Sequence, residues 1–206
     1  MRPPYPTLAA LLLTGLASTP LTAADYRIDP SHAVIQFRIS HLGFSTMVGR
    51  FNQFEGYFTW DAAHPEKASV QVKIDPASID TNWAERDKHL RGEDFLDVAR
   101  FPEASFVSTA YEGDASGGLL KGDLTLHGVT KPIVIKMQAI GEGTDPWGGF
   151  RAGFAGTTEI RRADFGIDYN LGPTAETMQF ELHLEGLRQK TRGVPFSDGA
   201  ATSPNP

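Results

Sequence analysis

The sequence predicts an all-β fold, an eight-stranded antiparallel barrel with one short helix in the long connection between strands three and four. Three observations predict it. Apolar and polar residues alternate with period two through eight separate runs. Gly 21, Pro 14 and Phe 13 suit a β chain with many turns. The connection between Ile74 and Ala104 is long and densely charged, whereas the others are read as short.

The runs follow in order. "AVIQFRIS" sets Ile35, Phe37 and Ile39 on one face against Gln36, Arg38 and Ser40. "FEGYFTW" aligns Phe54, Gly56, Phe58 and Trp60, and "ASVQVKI" aligns Ala68, Val70, Val72 and Ile74. In the long connection, Asn82 and Glu85 have capping-box spacing, so a helix is expected from Asn82 to about Leu90 or Phe95, ending before Pro102. Its apolar content is thin (Trp83, Ala84, Leu90, Phe95, Leu96), which places it over a surface or an opening. "ASFVSTAY" then aligns Ala104, Phe106, Ser108 and Ala110, and "LLKGDLTL" aligns Leu120, Gly122, Leu124 and Leu126. "PIVIKMQAI" aligns Ile133, Ile135, Met137 and Ala139, with Pro132 at the strand start, where its missing N–H does least harm. "FRAGFAGTTEI" aligns Ala152, Phe154, Gly156, Thr158 and Ile160, and "TMQFELHL" aligns Met178, Phe180, Leu182 and Leu184.

Eight such strands suit a sandwich or a closed barrel. Tight connections favour the barrel, which at eight strands is just wide enough for a small ligand. Small residues recur on the inward faces (Gly56, Ala68, Ala104, Ser108, Ala110, Gly122, Ala139, Gly156), which implies either a hollow interior or close strand packing. For a hollow barrel, strand parity gives the ligand-binding set Ile35, Phe37, Ile39, Phe54, Phe58, Val70, Val72, Phe106, Leu124, Ile135, Met137, Phe154, Met178, Phe180 and Leu182. Arg86 and Arg91 of the helix join it as candidates to meet a polar or anionic head group. A capped helix with ion pairs at Glu85/His89 and Asp87/Arg91, and no ligand contact, is the other reading of that segment.

Residues 1–23 read as a secretory signal peptide: Arg2, the apolar run "LAALLLTGL", and small residues up to a cleavage site after Ala23 or Ala24. The run is too short for a transmembrane helix. Residues 24–190 form the domain, and 191–206 ("TRGVPFSDGAATSPNP") read as a flexible tail. Without residues 1–23, 18 basic residues face 25 acidic ones, a balance of −7, and no basic tract is present. That composition argues against nucleic acid as a partner.

Catalytic and metal signatures are absent from the sequence. The six histidines (His32, His41, His64, His89, His127, His183) have no metal-ligand spacing, so no metal is expected. Cys 0 removes disulfide and thiolate chemistry, and no Gly-x-Ser-x-Gly elbow occurs. Asp87 and Asp94 are carboxylates on a solvated helix, not a marked acid–base pair. "DPWGGFRAGF" lacks the Lys and helix of a phosphate loop.

Five ordered segments carry a family resemblance: "ADYRIDPSHAVIQFRISHLGFSTMVGRF", "SIDTNWAERDKHLRGEDFLDVARFPEASF", "GDLTLHGVTKPI", "DPWGGFRAGF" and "ADFGIDYNLGP". In that order they resemble the YceI-like family of exported polyisoprenoid-binding proteins, over about residues 24–190. The resemblance implies a lipocalin-like barrel in the periplasm whose apolar tunnel holds a long amphiphile. The amphiphile would be an isoprenoid quinone, a polyprenyl phosphate or a fatty-acid amide. It implies no catalytic residues and no cofactor besides the lipid, so a carrier is expected, not an enzyme. An enzyme acting on a small amphiphile and a filled barrel presenting its loops to a partner are the alternatives. A homodimer is left open.

Overall fold

The computed structural model describes residues 23–190; the expected signal peptide and C-terminal tail fall outside them, apart from Ala23. Eleven strands and one α-helix form among the described residues. Eight strands close an antiparallel barrel, in the order β1 (Ala24–Ile28), β4 (Phe54–Trp60), β5 (Ser69–Ile74), β7 (Ala104–Gly113), β8 (Gly117–Leu126), β9 (Val129–Thr144), β10 (Phe150–Arg161) and β11 (Thr177–Arg188). β11 pairs back onto β1. β2 (Val34–His41), β3 (Ser45–Phe51) and the two-residue β6 (Ile79–Asp80) continue the sheet beyond β11. The helix α1 (Ala84–Leu90) lies between β5 and β7, the third and fourth runs of the sequence reading.

Closure of the barrel departs from the alternation pattern at one point. The first run, "AVIQFRIS", is β2, yet the strand joining β4 to β11 is the short β1. β11 is long enough for both. Its residues Gly186 to Arg188 pair with Ile28 to Tyr26, and Gln179 to His183 pair with Arg38 to Val34. The connection from β2 to β4 is likewise not a plain loop, because it contains β3. Leu42 (φ 54°) and Gly43 (φ 79°) turn β2 into β3, and the Phe44 N–H donates to the His41 carbonyl at 2.9 Å. Positive φ at both central residues is the turn that matches the twist of paired strands.

One end of the barrel is sealed by two segments, 75–103 and 162–176. Phe95 and Leu96 of the first and Phe165, Ile167 and Ala175 of the second are buried in one core with Leu126, Ile160, Phe51 and Ile79. The second segment contains "ADFGIDYNLGP", to which the sequence assigned a family resemblance but no structural role. Its anchor is Arg162, itself buried, which donates to the carbonyls of Ala175 (2.8 Å), Ile167 (3.3 Å) and Tyr169 (3.2 Å). At the opposite end lie the 61–68, 114–116 and 145–149 connections and both ends of the described chain.

The helix begins two residues later than expected, and Asn82 does not cap it. Trp83 is the N-cap and gives no side-chain hydrogen bond, while Asn82 sits at φ 63° with its N–H donated to Asp80 Oδ1 at 2.9 Å. The expected i,i+4 ion pairs are replaced by longer-range contacts. Asp87 Oδ1 accepts from the Thr81 N–H (2.9 Å) and hydroxyl (2.5 Å), and His89 Nε2 lies 2.8 Å from Asp94 Oδ2.

Pro132 is the fourth residue of β9, not its first. It is tolerated because β10 pairs with β9 only from Lys136 onward, so the missing N–H faces an unpaired edge.

The small inward residues split between the two readings, and Gly186, which was not among them, joins the close-packed ones. A Cβ at Gly186 would overlap the Phe58 ring, one at Gly122 the Phe106 ring, and one at Gly56 the Gln71 carbonyl and the Ile28 side chain. These glycines are close-packing sites. Ala68, Ala139 and Gly156 instead line the cavity in the barrel. Gly186→Val is therefore expected to destabilise the fold by about 2–3 kcal/mol through overpacking against Phe58, read as a lowered urea midpoint at unchanged m-value.

Candidate functional site

Inside the barrel runs an apolar slot of two lobes. The larger has about 80 Å³ open to the centre of a water-sized sphere and is lined by Ile35, Val70, Val72, Ile74, Phe106, Leu120, Leu124, Ile133, Ile135, Met137, Phe154, Gly156, Thr158, Phe180, Leu182 and Leu184. The smaller, about 40 Å³ by the same measure, lies toward the unsealed end among Phe58, Trp60, Ala68, Tyr111 and Ala139. Val70, Leu120, Met137, Phe154 and Leu184 line both, so the lobes are adjacent. Thr158 is the one polar side chain of the larger lobe, and its hydroxyl donates to the Val134 carbonyl at 2.8 Å, where the β10 ladder has ended. A void lined in this way offers apolar contact to a guest.

Strand parity brought most of the predicted lining together. Ile35, Val70, Val72, Phe106, Leu124, Ile135, Met137, Phe154, Phe180 and Leu182 face the larger lobe, and Phe58 faces the smaller. Phe37 and Ile39 are instead buried in the sheet extension, Phe37 against Phe51 and Phe180 with ring centroids 5.9 and 6.3 Å apart. Phe54 and Met178 are half-buried against the core and do not reach the slot. Tyr111 is the lining residue that parity missed. A β-bulge between Ser108 and Ala110 shifts the register, so Tyr111 turns inward and Ala110 outward. No residue in "ASFVSTAY" marks that bulge.

Arg86 and Arg91 lie at the sealed end and bond to the backbone beside them. Arg86 donates to Thr81 Oγ1 (2.7 Å) and the Thr81 carbonyl (2.5 Å), and Arg91 to the carbonyls of Ala77 (2.6 Å) and Ile79 (2.8 Å). These bonds clamp the helix to residues 77–81.

The largest charge cluster is on the outside, around Arg151. Its guanidinium donates to Asp145 (2.7 Å), Asp29 (2.8 Å) and Glu185 (2.6 Å), joining the β9–β10 turn and the β1–β2 turn to β11. Asp29, His32 and Glu185 bring ligand atoms within 4.8 Å of one another. Arg151 already bonds both carboxylates, so this is an ion-pair network and not a vacant cation site. Hydrogen bonds from Ser31, Arg151 and His32 hold Asp29 far below the ordinary carboxylate range, and Arg151 lowers Asp145. A carboxylate with a depressed folded pKa contributes stability that is complete above the unfolded value and is lost as pH falls toward the folded one. The urea midpoint is therefore expected to drop as pH falls below about 4. In Arg151→Gln that drop is expected to be shallower, from a lower starting point at pH 7.

Comparison with other proteins agrees with this architecture. The profile of the YceI-like domain matches residues 26–186. A protein of Shewanella denitrificans named UPF0312 protein is 52% identical over 186 residues, covering 88% of this chain and 97% of the relative. The Campylobacter jejuni YCEI protein superposes with a TM-score of 0.67 at 23% identity, over 89% of this chain and 100% of that one. A polyisoprenoid binding domain from Saccharophagus degradans, implicated in plant cell wall breakdown, superposes with a TM-score of 0.61 at 18% identity, over 82% and 100% of the two chains. Among the described residues, no helix is long and apolar enough to cross a membrane.

Proposed function

The chain belongs to the YceI-like family, and from that premise we propose that it is an exported, periplasmic carrier for a long-chain isoprenoid lipid, an isoprenoid quinone or a polyprenyl phosphate. The observation that carries the reading is the shape and chemistry of the slot. It is apolar and enclosed by the barrel wall, so it suits a hydrocarbon tail and not a charged group. Each CH₂-sized unit moved from water into it gains about 0.8 kcal/mol, enough to hold a prenyl chain without directional bonds. The fold shared with a polyisoprenoid binding domain supports the same reading. Export is supported by the signal-peptide pattern of residues 1–23. Binding rather than turnover is favoured because, among the described residues, no titratable side chain lines the larger lobe.

The test is to purify the protein from a bacterial envelope, extract it with organic solvent and identify the extract by mass spectrometry. An isoprenoid lipid near one equivalent per chain is the expected result. No lipid in the extract, together with no uptake of added quinone or polyprenol, would overturn the proposal.

A further inference from the structure

With one end sealed by residues 75–103 and 162–176, the polar end of a bound amphiphile belongs at the other. There Tyr26 stacks on Phe58 (centroids 4.8 Å apart, planes 7° apart), and Trp60 meets Tyr111 edge-on at 6.1 Å. Tyr26 and Trp60 are 2% and 7% exposed. The Tyr111 hydroxyl donates to the Asp114 carbonyl at 2.9 Å. By contrast, neither the Tyr26 hydroxyl nor the Trp60 N–H bonds to another described residue. No side-chain polar atom among the described residues is both sealed and unpaired.

The strand register brings two opposite charges to the same rim. Arg188 stands across from Tyr26 in the β1–β11 pair, and Glu142 stands across from the buried Ala152 in the β9–β10 pair. Both are exposed, and neither forms an ion pair among the described residues. The Arg188 guanidinium lies over the half-buried Phe150 ring, 5.6 Å from its centroid. Burial raises the Tyr26 pKa, Glu142 adds to the rise and Arg188 opposes it, so both charges act on that hydroxyl and it remains a protonated donor at neutral pH.

We propose that Tyr26, Trp60, Arg188 and Glu142 form the head-group site of the slot, and that this site selects an uncharged head bearing carbonyl or hydroxyl oxygens over a phosphate. The inference rests on the lipid-binding reading above. Tyr26, Trp60 and Arg188 supply three donors at this end of the barrel, while Glu142 offsets the charge of Arg188 and repels an anion. A phosphate is held by several cations or a bidentate arginine free of competing carboxylates. A carbonyl needs only one or two donors, and the surrounding aromatic rings suit a flat ring such as that of a quinone.

The test titrates lipid-stripped protein with squalene, a long-chain isoprenoid quinone and a polyprenyl monophosphate. The quinone is expected to bind tightest. Tyr26→Phe and Arg188→Gln are each expected to weaken quinone binding about five- to tenfold, the loss of one hydrogen bond, with squalene changed less than about twofold. Glu142→Gln is expected to raise phosphate affinity about threefold or more. Wild-type preference for the phosphate, or quinone affinity unmoved in both donor variants while squalene still binds, would overturn the head-group site and leave the carrier reading intact. Failure of all three lipids to bind the wild type would overturn the carrier reading itself.

Discussion

Arg162→Met is expected to lower the free energy of unfolding by about 3–5 kcal/mol, a large share of the roughly 5–15 kcal/mol that holds a typical domain. The methionine keeps most of the aliphatic stem and its packing. What it removes is the donor set for three carbonyls, those of Ala175, Ile167 and Tyr169, of which Ala175 and Ile167 are buried residues. Unpaired buried carbonyls cost about 1–3 kcal/mol each when the surroundings do not relax. Urea unfolding at neutral pH measures the loss, and amide hydrogen exchange locates it. The 162–176 segment is expected to lose protection first, while β8 to β11 keep theirs. Arg162→Lys is expected to recover only part of the loss, because one ammonium cannot reach three carbonyls in that fan.

Gly156→Leu is expected to weaken lipid binding by about two orders of magnitude while leaving the fold in place. A Cβ at Gly156 would lie 3.0 Å from Ile135 Cγ2, 3.0 Å from Met137 Sδ and 3.6 Å from Leu182 Cδ1, all side-chain atoms beside the slot. The added isobutyl group occupies the space a prenyl chain needs. Excluding about four CH₂-sized units at about 0.8 kcal/mol each weakens binding about a hundredfold. Stability is expected to change by less than about 1 kcal/mol, since filling the void offsets the crowding. Quinone and squalene titrations beside a urea melt separate the two effects. Equal loss of both lipids with an unchanged melt is the expected pattern, and undiminished binding would mean the lipid lies elsewhere.

Which parts of this molecule were legible in its sequence follows from how far each signal reaches. Alternation is a local signal, and it placed Val70, Val72, Phe106, Leu124 and Phe180 on the inner wall, because a strand's side chains must alternate. It failed where the ladder itself is irregular. The bulge before Ala110 exchanged inside for outside and hid Tyr111, and nothing local announces an extra residue in one strand. Capping chemistry misled at Asn82 because a tertiary contact won. Asp87 turned to Thr81, and the chain entered the helix through an αL residue. The glycines were the most ambiguous signal. Gly122 and Gly186 make room for neighbouring rings, whereas Gly156 borders the slot, and only the position of Phe106 or Phe58 tells them apart. The rim of Tyr26, Glu142 and Arg188 was out of reach for a different reason, since it joins strands from the two ends and the middle of the chain.

That the first strand pairs with the last has a consequence for how the molecule is made. β1 emerges from the ribosome early, but its partner on β11 is the last strand of the domain to be synthesised. Until then β1 can pair only with β4, and the barrel remains an open, twisted sheet with two unsatisfied edges. Contacts of such long range form slowly. The chain is thus committed to finishing synthesis before it can finish folding. A circular permutant that joins Arg188 to Ala24 and opens the β8–β9 turn at Gly128 is expected to close its barrel faster, with an unchanged equilibrium topology.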